Sequence, residues 1–204
     1  MKLYSNPASP FVNKTLIIAH ECGLLDEIER IDIALAPGNP NHEFGKQNPL
    51  RQIPALITET GTCLYDSFVI CDYLIARAGN KTLLPADGPE RTHVLHMHAL
   101  CNGIMERAVA TRYETFARPE EYRWPAMIDD NFDRIDKGLA WLNAHIDEAL
   151  AGPFDLASAT FVAMLKYLDF RFDHLGWRTK YPALKEPFDA LSQLSCVKAA
   201  YPAA

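Results

Sequence analysis

Hydrophobic periodicity changes character once along this chain, in the stretch 79–89 that holds Gly79, Asn80, Pro85, Gly88 and Pro89. The change limits the fold to two differently built parts. Before it, residues 2–5 alternate as a short strand and a Pro7-to-Pro10 turn follows. Residues 11–22 then carry a helical run through Leu16, Ile17, Ile18 and Ala19 that stops at Gly23. Ile28, Ile31 and Ile33 alternate in a second strand, and the Pro- and Asn-rich residues 36–41 form a loop. Strands around 55–58 and 62–64 and a helix over 67–77 complete the order β-α-β-α-β-β-α, which fits an α/β layer of thioredoxin-like type. After the stretch, residues 90–116 and 128–150 and a third run to about Phe172 have helical periodicity and almost no strand signal. Pro119, Pro125 and Gly152-Pro153 separate them. The expected organisation is an α/β domain over 1–79, a linker over 80–89 and an all-helical domain over 90–204. Asp155, ahead of Leu156-Ala157-Ser158, is placed to accept the first amide bonds of the third helix, with Ser158 returning a weaker contact.

Composition excludes several classes of function. With 49% hydrophobic residues and no long apolar run, the chain reads as a soluble globular protein. Lys2 leads directly into a strand pattern rather than an apolar leader, so a cytoplasmic address is expected. The five cysteines, Cys22, Cys63, Cys71, Cys101 and Cys196, form no C-x-x-C pair, which disfavours a disulfide framework or a zinc ribbon. A net charge of −6 argues against nonspecific attraction to nucleic acid phosphate. Of His93, His96 and His98, only the first two share a helix face and no further ligand is evident, so no metal site is expected.

Chemistry concentrates in the first part. Pro54, just before the apolar Ala55-Leu56-Ile57, cannot donate to a sheet ladder and belongs at the strand's first position or in a tight turn, where a cis peptide is tolerated. The backbone of Ile53 is then left to bind something else. Asp66 and Ser67 put a carboxylate and a hydroxyl at a helix start, where exposed amides attract anions, so a zwitterionic, amino-acid-like ligand fits there. Ser9, before Pro10, is placed as an N-cap at the positive end of the first helix.

These segments, together with Met1-Lys2-Leu3-Tyr4-Ser5, Ala8-Ser9-Pro10-Phe11, Gly103-Ile104-Met105-Glu106 and Ala117-Arg118-Pro119, resemble the glutathione S-transferases over nearly the whole chain, in particular the bacterial YibF-type members. The resemblance implies an enzyme with glutathione as cosubstrate and no cofactor. It would ionise the thiol and transfer it to a hydrophobic electrophile, or use it to reduce a peroxide. The alternative it leaves is a non-catalytic glutathione or hydrophobic-ligand binder on the same fold. By resemblance Ser9 is the thiol-facing group, with Tyr4 and Ser5 competing for the role; cysteine there would instead support thiol–disulfide exchange. Related bacterial members often carry Arg where this chain has Asn13, so a nearby positive charge is missing. Ile53, held by Pro54, would pair its backbone with the cysteinyl unit. Asp66 would take the α-ammonium and Ser67 the carboxylate beside it. Gln52, with Arg51 and His42 in reserve, would meet the glycyl carboxylate. The electrophile is expected between the domains, against Phe11 and the helical stripe of Met105, Val109, Arg112 and Phe116 with Tyr113 beside it, although such a stripe is more often core or dimer contact than substrate pocket. Family members usually pair around a two-fold axis, and the long helices from Glu90 and Ile128 offer apolar surface for such a homodimer.

Overall fold

The structure is a computed structural model that describes residues 1–201. The chain forms two compact units, one from Met1–Ala86 together with the segment from Leu194 on, the other from Asp87–Gln193. In the first unit the order is β1 (Lys2–Ser5), α1 (Pro10–Glu21), β2 (Glu29–Asp32), α2 (His42–Gly45), β3 (Ala55–Ile57), β4 (Cys63–Leu64) and α3 (Ser67–Ala78). This is the β-α-β-α-β-β-α order read from the sequence. The sheet runs β2-β1-β3-β4. β1 and β2 are parallel, with Leu3 opposite Arg30, a pairing that needs a crossover, and α1 supplies it. β3 is antiparallel to β1 and β4 to β3, with Leu3 opposite Leu56 and Leu56 opposite Leu64.

Strand alternation sets the core. Leu3 and Ser5 are buried and Lys2 and Tyr4 are less so, as the two-residue side-chain period requires. α1 buries every residue from Val12 to Ala19, the polar Asn13, Lys14 and Thr15 included, so it is covered on all sides. α3 packs on it, and so does the last described helix of the chain, Ser195–Ala200, through buried Cys196, Val197 and Ala200. That packing is why the segment from Leu194 joins the first unit, although periodicity alone runs the helical part to the end of the chain. Gly79 ends α3 in the left-handed region (φ 66°), where a Cβ would be strained.

The second unit holds α4 (Gly88–Arg112), a π-helical turn (Tyr113–Ala117), α5 (Pro125–Ala144), α6 (Ile146–Ala149), α7 (Leu156–Phe172), α8 (Trp177–Lys180) and α9 (Lys185–Ser192); Ser195–Ala200 is α10. α7 is buried along nearly its whole length, with α4 and α9 packed on it, and α4 also packs on α5. A Cβ on Gly138 would fall 2.7 Å from Ile104 Cδ1, so glycine permits the close approach of α5 to α4. α5 begins at Pro125, earlier than hydrophobic spacing places it, because proline is suited to the first helical position. The run expected over 128–150 breaks at His145, whose ring stacks on Trp141 at 4.3 Å and whose Nδ1 lies 2.8 Å from the Trp141 carbonyl. Among the described residues no helix is long and apolar enough to cross a membrane.

α7 starts at the Asp155 cap. Asp155 Oδ1 accepts from the Ser158 amide at 2.8 Å and from the Ser158 hydroxyl at 3.0 Å, so the returning contact comes through the side chain. Burial raises the Asp155 carboxyl pKa, and the Ser158 bonds oppose it without cancelling it. A carboxyl raised in the folded state adds stability while protonated and loses it as pH climbs from about 4 toward the folded value. Asp155→Ala is expected to cost about 1–3 kcal/mol, by loss of the cap and desertion of Ser158. Asp155→Asn should cost less, and its stability relative to the parent should rise with pH through that window. Urea melts across pH check both.

Candidate functional site

Strand register gathers three connections at one end of the first unit's sheet. Tyr4 pairs with Ala55 and Leu56 with Leu64, so the chain leaves β1 toward Ser9, enters β3 from Ile53-Pro54 and leaves β4 toward Asp66 at the same edge. The Ile53–Pro54 peptide is cis, and so is Tyr65–Asp66.

The first connection is shaped by Asn6. Its Oδ1 accepts from the Ala8 amide at 3.0 Å, its Nδ2 donates to the Ile33 carbonyl at 3.3 Å, and its carbonyl accepts from the Ser9 amide at 2.9 Å. Ser9 is the N-cap of α1, half-buried, with Oγ accepting a long bond of 3.4 Å from the Val12 amide and its carbonyl accepting from Asn13. As acceptor in the cap, the hydroxyl keeps its own proton to donate. The competing groups are committed elsewhere. Ser5 is buried and donates to Asp32 Oδ1 at 2.6 Å, and the Tyr4 ring packs on Phe44 at 4.8 Å. Asn13 is buried and braces the turn by donating to the Pro7 carbonyl at 3.1 Å.

In the second connection the organising residue is Asn48, which sequence reasoning missed. Fully buried, it donates through Nδ2 to the Gln52 carbonyl at 2.8 Å and accepts the Leu50 amide on Oδ1 at 3.0 Å, while its carbonyl takes the Arg51 amide at 2.9 Å. The Asn48-Pro49 dipeptide was the available signal, since Asn before Pro initiates turns and its side chain bonds the backbone two residues on. Arg51 takes a left-handed conformation (φ 51°) with its side chain against Gly45. Ile53 is half-buried, and its amide and carbonyl have no backbone partner among the described residues. Gln52 and His42 are exposed.

At the third connection, Asp66 caps α3 through Oδ1, which accepts from Phe68 at 3.0 Å and Val69 at 3.4 Å. Its carbonyl takes the Ile70 amide. The cap thus uses one carboxylate oxygen of an exposed residue, and the buried Ser67 stands at the first helical position, where the amide has no partner within the helix.

Four of the chain's five thiols are held toward the protonated form. Burial is the leading cause at each, pushing Cys22 and Cys196 up to about 12, Cys71 to about 11, and Cys63 upward. Among the described residues no group of three His, Cys, Asp or Glu is arranged to hold a metal.

Of the expected electrophile residues, Phe11 is half-buried near the start of α1 and Lys14 Nζ lies 5.9 Å from its ring. The rest belong to the second unit. Met105 is fully buried in its core, so it offers no surface to a ligand. Val109 and Arg112 are half-buried, and Tyr113 and Phe116 are exposed, with the Arg112 guanidinium 3.5 Å above the Phe116 ring.

Comparison with known proteins gives the class. Residues 8–77 match the glutathione S-transferase N-terminal domain and residues 112–186 the glutathione S-transferase C-terminal domain. The chain is 31% identical over 186 residues to the uncharacterized GST-like protein YibF of Escherichia coli K12, covering 90% of each. A glutathione transferase family member from Pseudomonas fluorescens Pf-5, solved with bound glutathione, is 38% identical with a TM-score of 0.95, over 100% of this chain and 99% of that one. A structure from the same organism with bound S-(propanoic acid)-glutathione is 37% identical, with a TM-score of 0.90 over 100% of each chain. The chain belongs to the glutathione S-transferase family.

Asn48→Ala is expected to destabilise the protein by about 2–3 kcal/mol, because two hydrogen bonds are lost and buried backbone groups lose their partner. Thermal or urea unfolding measures it. A loss under half a kcal/mol, on the order of an ordinary surface change, would remove Asn48 from this role.

Proposed function

We propose that this protein is a glutathione transferase that ionises the bound thiol with Ser9 and delivers the thiolate to an electrophile or a peroxide. The observation that carries the reading is the Ser9 hydroxyl, which accepts from Val12 at the start of α1 and so has a proton to donate, at the sheet end where Ile53, Asp66 and Ser67 also emerge. The bound glutathione and S-(propanoic acid)-glutathione of the two Pseudomonas fluorescens structures support a ligand of this chemistry.

In this reading the unpaired amide and carbonyl of Ile53 form strand-like bonds with the cysteinyl unit. Asp66 Oδ2, outside the cap, meets the α-ammonium. The Ser67 amide and hydroxyl take the adjacent carboxylate, helped by the positive end of α3. Gln52 reaches the glycyl carboxylate, with Pro54 holding the bend.

A free thiol with a pKa near 8.5 is only ~3% ionised at pH 7. Lowering that pKa by about two units needs roughly 2.7 kcal/mol of preferential thiolate stabilisation. A hydrogen bond to a charged group supplies about 1.5–3 kcal/mol and a helix terminus up to ~2 kcal/mol. One hydroxyl on one helix start is therefore sufficient, with no general base and no cationic replacement for Asn13.

The same reading places the protein in the cytoplasm as a homodimer. Exposed Tyr122, Trp124, Met127 and Trp141 on and before α5 supply apolar surface for a two-fold partner. Sedimentation should return twice the 22.9 kDa chain mass, and a one-chain mass at micromolar concentration removes the dimer.

Ser9→Ala should lower conjugation by about 100-fold while leaving glutathione binding within a few fold, the signature of a lost donor to developing negative charge. Parent-like turnover would assign thiol activation to another group. Asp66→Ala should raise KM for glutathione with kcat little changed, because the ammonium is held equally in ground and transition states. Steady-state kinetics with glutathione varied separates the two effects.

A further inference from the structure

The Ser9 hydroxyl is only weakly tied to its own helix. The bond it accepts from the Val12 amide is 3.4 Å long, at the outer edge of hydrogen-bond distance. Where the hydroxyl sits is therefore decided by the backbone of the turn over 6–9. That turn is held from two sides. On the strand side, Asn6 Nδ2 donates to the Ile33 carbonyl at 3.3 Å, and the Asn6 carbonyl accepts from the Ser9 amide at 2.9 Å. On the helix side, one residue makes two ties. The Asn13 amide donates to the Ser9 carbonyl at 3.1 Å, and Asn13 Nδ2 donates to the Pro7 carbonyl at 3.1 Å. Pro7 has no amide, so its carbonyl is the backbone group by which it can be fixed.

The Asn13 side chain is costly to keep where it is. It is 4% exposed, and its Oδ1 is buried with no hydrogen-bond partner. Burial raises the Tyr201 phenol pKa and the Asn13 side chain opposes the rise, yet no hydrogen bond reaches Oδ1. A buried acceptor left empty loses its hydration without return, and an apolar side chain of the same size avoids that loss. Stability alone therefore gives little reason for an asparagine at this position. What leucine would lack is the Nδ2 donor, and that donor holds the turn that carries Ser9.

We propose that Asn13 is a positioning residue for thiol ionisation: through the Pro7 carbonyl it fixes the turn so that the Ser9 hydroxyl is aimed at the glutathione sulfur. This assignment rests on the transferase reading above. Asn13 brings no charge to the thiolate and acts only through Ser9. A displacement of about 1 Å at a reacting group can cost on the order of 100-fold in rate. Releasing one of several ties on the turn is expected to cost less, about tenfold.

Asn13→Leu tests the role, because it keeps the side-chain volume and removes both the donor and the empty acceptor, so near-parent stability is expected in a thermal melt. Ultraviolet titration of bound glutathione should place its thiol about one pH unit above the parent's value, with turnover about tenfold lower and KM for glutathione within about twofold. In a Ser9→Ala background the same substitution should change turnover by less than about twofold, since no hydroxyl remains to be aimed. A residue with a merely structural role would lower turnover by the same factor in both backgrounds. That result overturns the inference, and so does a parent-like thiol titration in Asn13→Leu. If the leucine variant does not fold, Asn13→Ser, whose side chain is too short to reach the Pro7 carbonyl, is put through the same two measurements with the same outcomes expected. Should Ser9→Ala itself ionise bound glutathione as the parent does, the transferase reading fails and the positioning role with it. Should Ser9→Ala suppress ionisation while the Asn13 variants do not, the positioning role alone fails.

Discussion

The first amides of a helix have no partner within the helix, and what the chain does with them at α1 and α3 governs the first unit's chemistry. At α1 the first position is Pro10, which has no amide, and beyond Phe11 the next two donors are taken by Ser9, Val12 by its hydroxyl and Asn13 by its carbonyl. At α3, Asp66 takes the amides of Phe68, Val69 and Ile70 and leaves that of Ser67. Both caps satisfy amides of their own helix and both leave something over: a hydroxyl proton at Ser9 and a carboxylate oxygen at Asp66. In the proposed reading, structural and ligand-facing roles therefore do not compete at these residues. The same side chain accepts from its own helix and offers its remaining capacity outward.

Backbone pairing completes the arrangement. Pro54 opens β3 and Asn48 fixes the preceding loop, so the amide and carbonyl of Ile53 stay outside the ladder. Those groups, with the starts of α1 and α3, sit at one end of the sheet because β3 runs antiparallel to both its neighbours. A mixed four-stranded sheet is thus the device that brings residues 9, 53 and 66 together. Burial raises the pKa of Cys22, Cys71 and Cys196 and so disfavours a thiolate on any of them.

The parts legible in the sequence were those with local causes. Ser9 before Pro10, Pro54 before an apolar triplet, and Asp66 before an apolar helix are each decided by neighbours within a few residues, and the same holds for the Asp155 cap. Asn48 is also local, yet its mark is one turn-forming dipeptide among several, and only its complete burial sets it apart. Features built by packing were not legible. The placement of α10 on α1 depends on three small buried residues, and the break at His145 on a ring stacked over Trp141. Met105 shares a helical stripe with Arg112 and Phe116 but faces the core, a distinction that spacing alone does not draw.

The central claim is that a serine hydroxyl on a helix start ionises a bound thiol. It is tested most directly by following the ultraviolet absorbance of the thiolate through a pH titration of glutathione bound to the intact protein. The account predicts that the bound thiol ionises about two pH units below its free value near 8.5. A bound thiol that titrates together with the free one would contradict it.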